Sequence, residues 1–246
     1  MKRERPIWEY FVYDGVPSLD YNVKISDKST YGAPKRDVDV VSVPGRNGDL
    51  IFDNGRYANA SITYDAYLID DFDASLNAFR DFLLAHSDNY YRLEDTLHNN
   101  EYRMARYSGD FNPNVVGGGD AGSFDIKFDV KPQRFLKSGE AVFTLGSGHK
   151  TIHNPTFQVA KPLIKAYLTG AGQIKIGNIT ITIAAGSTGY ICIDSDSQEC
   201  YEGTVSRSGI VSFSDHKYPE LAPGDTGVEF SGTITKLEIV PRWWRI

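Results

Sequence analysis

The chain has little sulfur and little tryptophan: two cysteines, two methionines and three tryptophans among 246 residues. Two cysteines cannot staple a small exported scaffold, so a chain of this length has to hold itself together with a packed apolar core. It has no apolar run approaching the ~18 residues that cross a bilayer as a helix. Its basic opening, MKRERPIWEYFVYDG, contains no apolar stretch of signal-peptide length. These absences predict a soluble protein made in a cytoplasm, with no membrane partner. Positive charge is also scarce. Lys and Arg number 26 against 32 Asp and Glu, for a net charge of −6, and no cationic cluster stands out. Gripping a phosphate backbone needs such clusters, so specific nucleic-acid binding is disfavoured.

Catalytic and metal motifs are missing in the same way. LGSGHKT (145–151) has the look of a phosphate loop, but Thr144 and His149 stand where its two glycines belong. DSDSQE (194–199) places Asp194 and Asp196 at calcium-loop spacing. Glu199 then replaces the turn glycine and Val205 the bidentate glutamate. His149 and His153 are four apart without a Glu-x-x-His or a nearby cysteine. There is no Gly-x-Ser-x-Gly elbow, and the triple glycine at 117–119 lacks the strand-to-helix setting of a nucleotide fingerprint. The expectation is no enzyme, no cofactor and no metal.

What is abundant is aromatic residues and glycine: 15 Tyr, 13 Phe and 23 Gly, a mix that favours short strands and turns. RDVDVVSV (36–43) and ASITYDAYL (60–68) read as strands. Between them VPGRNGDLIFDNGRY (43–57) carries PG, NG and NG turn signals and reads as a tight hairpin or loop. Residues 70–86 change period: Phe72, Leu76, Phe79 and Leu83 form one stripe of a helix that Asp70, Asp71 or Asp73 can cap. YYRLED (90–95) and EYRMARY (101–107) read as a hairpin, NVVGGGDAG (114–122) as a mobile loop tip, and GSFDIKFDVKPQRF (122–135) as a strand.

A domain boundary is expected at LKSGE (136–140), giving domains 1–136 and 137–246. Downstream there is no helical period. EAVFTL, PLIKAYLTG, QIKI, ITITI, YICIDS, IVSFS, GVEFS and TITKLEIV read as separate short strands of a β-sandwich or jelly roll. Cys192 and Cys200 flank a turn and can face each other across it; reduced thiols are expected, since nothing marks the chain as exported. The chain closes on SGTITKLEIVPRWWRI, an alternating strand followed by Trp243 and Trp244, which are too large to leave in water.

Four stretches carry a resemblance: PGRNGDLIFDNGRY (44–57), FTLGSGHKTIHNPTFQVAKPLIKAYLTG (143–170), IDSDSQECYEG (193–203) and YPELAPGDTGVEFSGTITKLEIVPRWW (218–244). In this order the chain resembles the distal tail proteins of long-tailed bacteriophages, especially those infecting Gram-positive bacteria. The resemblance implies a mainly β fold. Its first domain would be a split-barrel-like β domain with one helix, and its second a galectin-like or jelly-roll sandwich. It further implies a structural virion component at the tail tip, a homo-hexameric ring. Its implied partners are the tail tube protein, the tail-tip hub or tail-associated lysin, and receptor-binding proteins, with DNA passing through the ring. No inserted carbohydrate-binding module interrupts the matching stretches. The candidate assembly residues are Arg46, Asn47, Asp49, Asn54, Arg56 and Tyr57 in the turn-rich segment, with Trp243 and Trp244 at the end. A carbohydrate-binding sandwich recognising host cell-wall sugars is the alternative, marked by aromatics exposed on one sheet face. A glycoside hydrolase would need paired acids that meet only in space.

Overall fold

A computed structural model describes residues 8–29, 32–69, 71–109, 111–116, 120–186 and 189–246. The chain is mainly β, with multiple antiparallel sheets and one α-helix among the described residues. It divides into two compact units, one running through Arg134 with Ile246, the other Phe135–Arg245.

The first unit contains β1 (Phe11–Tyr13), β2 (Val16–Pro17), β3 (Val23–Lys28), β4 (Arg36–Val41), β5 (Leu50–Tyr57), β6 (Ala60–Ile69), α1 (Phe72–Ala85), β7 (Tyr91–Asp95), β8 (Glu101–Tyr107), β9 (Asn114–Val116) and β10 (Ala121–Val130). Its main sheet has the order β2-β1-β7-β8-β10-β6-β3. The two ends of that order come back together. Ile25 N donates to Glu9 O at 2.9 Å and Ser18 Oγ to Val23 O at 2.8 Å, so the sheet curls towards a split barrel. Strict alternation on β6 and β10 sends Ile62, Tyr64, Ala66, Leu68, Phe124, Ile126, Phe128 and Val130 inward. Phe11 stacks on Tyr64 at 5.2 Å, and α1 covers this core with Phe72, Leu76, Phe79 and Leu83, the stripe the 3.6-residue period predicts.

Three expectations for this unit need correction. Asp71 sits at the helix cap with φ 49° and makes no side-chain capping bond; Asp73 lies in the first turn and Asp70 falls outside the described residues. Segment 114–122 contains paired strand as well as turn. Val115 opposes Gly122 across β9 and β10, while the glycines 117–119 lie outside the described residues. Segment 43–57 is only partly turn, as described with the site below.

The second unit contains β12 (Phe143–Leu145), β13 (His149–Asn154), β14 (Leu163–Ile176), β15 (Ile179–Ile183), β16 (Tyr190–Asp194), β17 (Glu199–Glu202), β18 (Val205–Ser206), β19 (Val211–Phe213), β20 (Gly224–Val240) and β21 (Trp244–Arg245). The sequence reading divides PLIKAYLTG from QIKI and GVEFS from TITKLEIV; each pair is one continuous strand, β14 and β20. Both strands are irregular near Leu168–Gly172 opposite Gly232–Ile234. Before that point β14 pairs with β16, and after it with β15. Bent strands of this kind make the corners of a sandwich. One core fills the unit, with Ile164, Ile174, Ile181, Ile191, Leu237 and Ile239 fully buried.

The β20 pairing explains the burial of the C-terminal segment. Tyr167 opposes Lys236 and Leu168 opposes Ile234, which leaves Thr235 as an extra residue. The inward parity therefore switches, from Val228 and Ile234 to Leu237, Ile239 and Trp243. The one-residue offset of the β16–β17 hairpin has a consequence too. Cys192 opposes Tyr201 and Ile193 opposes Cys200, so the two thiols point to opposite faces and both are free and buried. They do not face each other across the turn.

Candidate assembly surfaces

β4 and β5 form a two-stranded ribbon apart from the larger sheets. Its turn lies at 42–49, where Arg46 N donates to Val43 O at 3.2 Å and Gly45 takes φ 81°. The second NG is not a turn. Asn54 and Gly55 lie inside β5, and Gly55, at φ 73°, sits where the register shifts between Arg36↔Tyr57 and Val38↔Asp53.

The base of the ribbon is laced with charge. Arg36 forks onto Asp53, Nε–Oδ1 at 2.9 Å and Nη2–Oδ2 at 2.7 Å, and lies over the Tyr57 ring at 4.7 Å. Arg56 Nε meets Asp37 Oδ2 at 2.5 Å, and Asn54 Nδ2 reaches Asp37 and Asp39 at 3.4 Å each. The Arg36 hydrogen bond, helped by the Gly55 N–H, holds the Asp53 carboxyl below the usual range; Arg56 and then Asn54 do the same for Asp37. Both pairs are water-facing and contribute orientation more than stability.

The outer half of the ribbon is apolar. Val40 is 58% exposed, Ile51 68% and Phe52 56%, with Val41 at 45%. Val40 opposes Ile51 on one face, while Phe52 opposes Asp39 and Leu50 opposes Val41 on the other. Both faces of the tip therefore present apolar side chains to water. Beyond them Arg46, Asn47 and Asp49 are exposed in the turn. The apolar set went unnoticed because LIF was taken as part of a loop; the signal was the DVDVV alternation facing LIF at hairpin distance.

The tryptophans lie in the second unit. Trp243 is 6% exposed and belongs to that unit's own core, with Leu136 N donating to its carbonyl at 2.8 Å. A Cβ on Gly139 would come within 2.3 Å of the Trp243 nitrogen, so only glycine allows this approach. Trp244 is half-buried and donates Nε1–H to Val159 O at 2.9 Å. Both rings are used inside the unit. Arg242, at φ 59°, forks onto Asp194 at 2.7 and 2.9 Å, and Asp194 also accepts Asp196 N at 2.9 Å. Asp194 is thus engaged by its own turn and by a guanidinium.

Two outer sheet faces complete the picture. In the first unit Asp27 opposes Asp65, and Asp65 opposes Asp125, a lateral row of three exposed carboxylates across β3, β6 and β10. In the second unit Tyr167 and Tyr190 lie on one face but are covered by cations. Lys236 Nζ sits 4.0 Å from the Tyr167 centroid and Lys165 Nζ 4.3 Å from that of Tyr190.

Fold and surface together describe a two-unit β protein with a projecting ribbon and no gathered set of catalytic groups among the described residues. No protein-family profile and no curated protein sequence matches the chain. Among solved structures, SPP1 Dit, described as a paradigm of the hub adsorption apparatus in phages infecting Gram-positive bacteria, is similar with a TM-score of 0.73. The likeness covers 97% of this chain and 99% of that one at 12% identity. The baseplate of phage p2 in its activated conformation also matches, with a TM-score of 0.52 in the strontium form and 0.53 in the calcium form. Each covers 95% of this chain and 97% of that one at 11% identity. The chain thus shares the fold of phage hub and baseplate proteins over nearly its whole length.

Proposed function

We propose that this chain is a structural subunit of a phage tail tip, made in the bacterial host's cytoplasm and incorporated at the distal end of a long tail. Six copies close into a ring through the first domain (1–136), and the second domain (137–246) is carried on it as a galectin-like sandwich. The ring joins the tail tube protein on one side to the tail-tip hub or tail lysin on the other, and receptor-binding proteins attach further out. The Gram-positive host range follows from the same reading. No catalysis is assigned to it.

The observation that carries the proposal is the ribbon tip. An isolated two-stranded hairpin is marginal in water, and four apolar side chains on its tip make solvent a poor environment for it. A ring that seats each ribbon on the next copy covers that surface in every subunit at once. Arg46, Asn47 and Asp49 then rim the contact, Asn54, Arg56 and Tyr57 stiffen its base, and Trp243 and Trp244 act only by holding the second unit together. The aspartate row suits a wall past which DNA must slide without sticking.

The test is light scattering and electron microscopy of the full chain over a wide concentration range, beside Ile51→Asp and Phe52→Ser. Rings of six that both variants reduce to monomers, with unchanged thermal stability, support the reading. A chain that stays monomeric and does not add to purified tail tubes, or rings indifferent to both substitutions, would reject it.

A further inference from the structure

A cleft of about 790 Å³ lies wholly within the second unit, between the β14–β15 turn, the β16–β17 turn and segment 216–222. Three features mark it as built for a ligand. Ser195 lines it, is 2% exposed, and its Oγ has no hydrogen-bond partner among the described residues, which is costly for a buried hydroxyl. Around Ser195 the side chains of Asn178, Gln198, Lys217 and Glu220 make no hydrogen bond or ion pair among the described residues. Backbone strain is concentrated here as well. Gln198 (φ 57°) and His216 (φ 54°) both line the cleft in the left-handed region, and Asp215 (φ 58°) adjoins it.

The chemistry of the lining restricts the ligand. A simple anion would face Glu220, a simple cation would face Lys217, and a purely apolar ligand would leave the Ser195 hydroxyl unpaired. Two amides, a hydroxyl, an ammonium and a carboxylate both donate and accept, and the half-buried Tyr218 ring supplies an apolar surface. Added peptide strands are disfavoured because the local backbone is already committed. Ser195 N donates to Pro162 O at 3.1 Å, Gly177 N to Gly227 O at 2.9 Å and Leu221 N to Ala160 O at 2.9 Å. β15, beside the cleft, is paired on both edges. A ligand read by side chains, dense in hydroxyls and carrying C–H faces, is a sugar. We propose that this cleft is a saccharide-binding site, separate from the surfaces that assemble the ring and not dependent on that assembly.

The experiment is a nuclear magnetic resonance titration of the full chain with glucose, galactose, N-acetylglucosamine and rhamnose and their short oligomers. Inorganic phosphate and an unstructured peptide serve as comparators. Saturable shifts confined to 177–179, 195–198 and 216–220 with at least one sugar are expected. Asn178→Ala and Ser195→Ala should each weaken that binding roughly ten-fold. Ser195→Ala has a second readout: deleting an unsatisfied buried hydroxyl should leave the free protein as stable or more so, which a merely structural serine would not do. The proposal is overturned by no saturable sugar response, by shifts with phosphate or peptide alone, by variants that bind as wild type, or by a Ser195→Ala protein that is less stable.

Discussion

Lys28 Nζ lies 2.5 Å from Asp95 Oδ2 inside the first unit, with the two side chains only 5% and 8% exposed. The backbone puts the cation there. Ile25 opposes Ala66 and Asp27 opposes Asp65, so a bulge at Ser26 reverses the inward parity of β3 and turns Lys28 into the interior. Burial lowers the Lys28 pKa while Asp95 pulls it back up. Asp95 also accepts Tyr64 Oη–H at 2.8 Å and His98 N–H at 2.8 Å. Asp95→Asn leaves a buried ammonium without its counter-charge and is expected to cost on the order of 3 kcal/mol in urea unfolding. A loss below about 1 kcal/mol would show that the pair is effectively solvated.

Tyr13 gives a pH signature. Its side chain is fully buried and Oη donates to His86 O at 2.6 Å; burial, first of all, pushes its pKa up to about 12. The folded state therefore holds the phenol proton more tightly than the unfolded chain, whose tyrosine titrates near 10. This contribution is complete below pH 10 and is lost as pH rises from 10 through 12. Lys28, with its lowered pKa, works in the opposite sense, so the informative quantity is the difference between wild type and Tyr13→Phe. That difference should be flat below pH 10 and shrink steadily above it in chemical denaturation; a pH-independent difference contradicts the assignment.

These two residues also show where the sequence could be read and where it could not. The helix was legible because Phe72, Leu76, Phe79 and Leu83 all fall on one stripe and all are buried. β6, β7, β8 and β10 were legible because a half-buried strand alternates. Bulges are what sequence reading misses. The inward turn of Lys28, the parity switch at Thr235 and the register shift near Gly55 each depend on one extra residue whose effect appears only against a paired strand. The ribbon was visible as turn chemistry, which singled out Arg46, Asn47, Asp49, Asn54, Arg56 and Tyr57. Its apolar tip was hidden because exposure cannot be read from a run such as LIF. The cleft around Ser195 gave no signal, since its lining comes from turns far apart along the chain.

The row Asp27–Asp65–Asp125 carries a stability cost. Like charges directly opposite on neighbouring strands repel by a few tenths to about 1 kcal/mol, less in salt. Asp65 stands between the other two. Asp65→Asn should raise the melting temperature at low ionic strength, with the gain fading by about 0.5 M salt as screening takes over. A decrease would mean that this carboxylate makes a favourable contact, against the repulsion inferred from the register. If the row lines a ring through which DNA moves, the same variant should increase retention of DNA by assembled rings.

Segment 154–159 sets a buried polar residue against an exposed aromatic one within a few positions. Asn154 is 2% exposed and its Nδ2 donates to Gln158 O and Leu221 O at 2.9 Å each, while Oδ1 accepts Thr156 N at 3.0 Å and Thr156 Oγ1 at 2.8 Å. Phe157, within that clamp, is 96% exposed. The usual ranking of a core phenylalanine above a polar residue should therefore invert. Phe157→Ser removes almost no packing and should change unfolding free energy by no more than about 0.5 kcal/mol. Asn154→Ala strands two carbonyls and a hydroxyl in the interior and should cost roughly 2–4 kcal/mol, with early protease cleavage near 158 as the loop loosens. Equal effects, or a larger loss at Phe157, would mean that the ring packs against the protein in solution and that the clamp is not what shapes the loop.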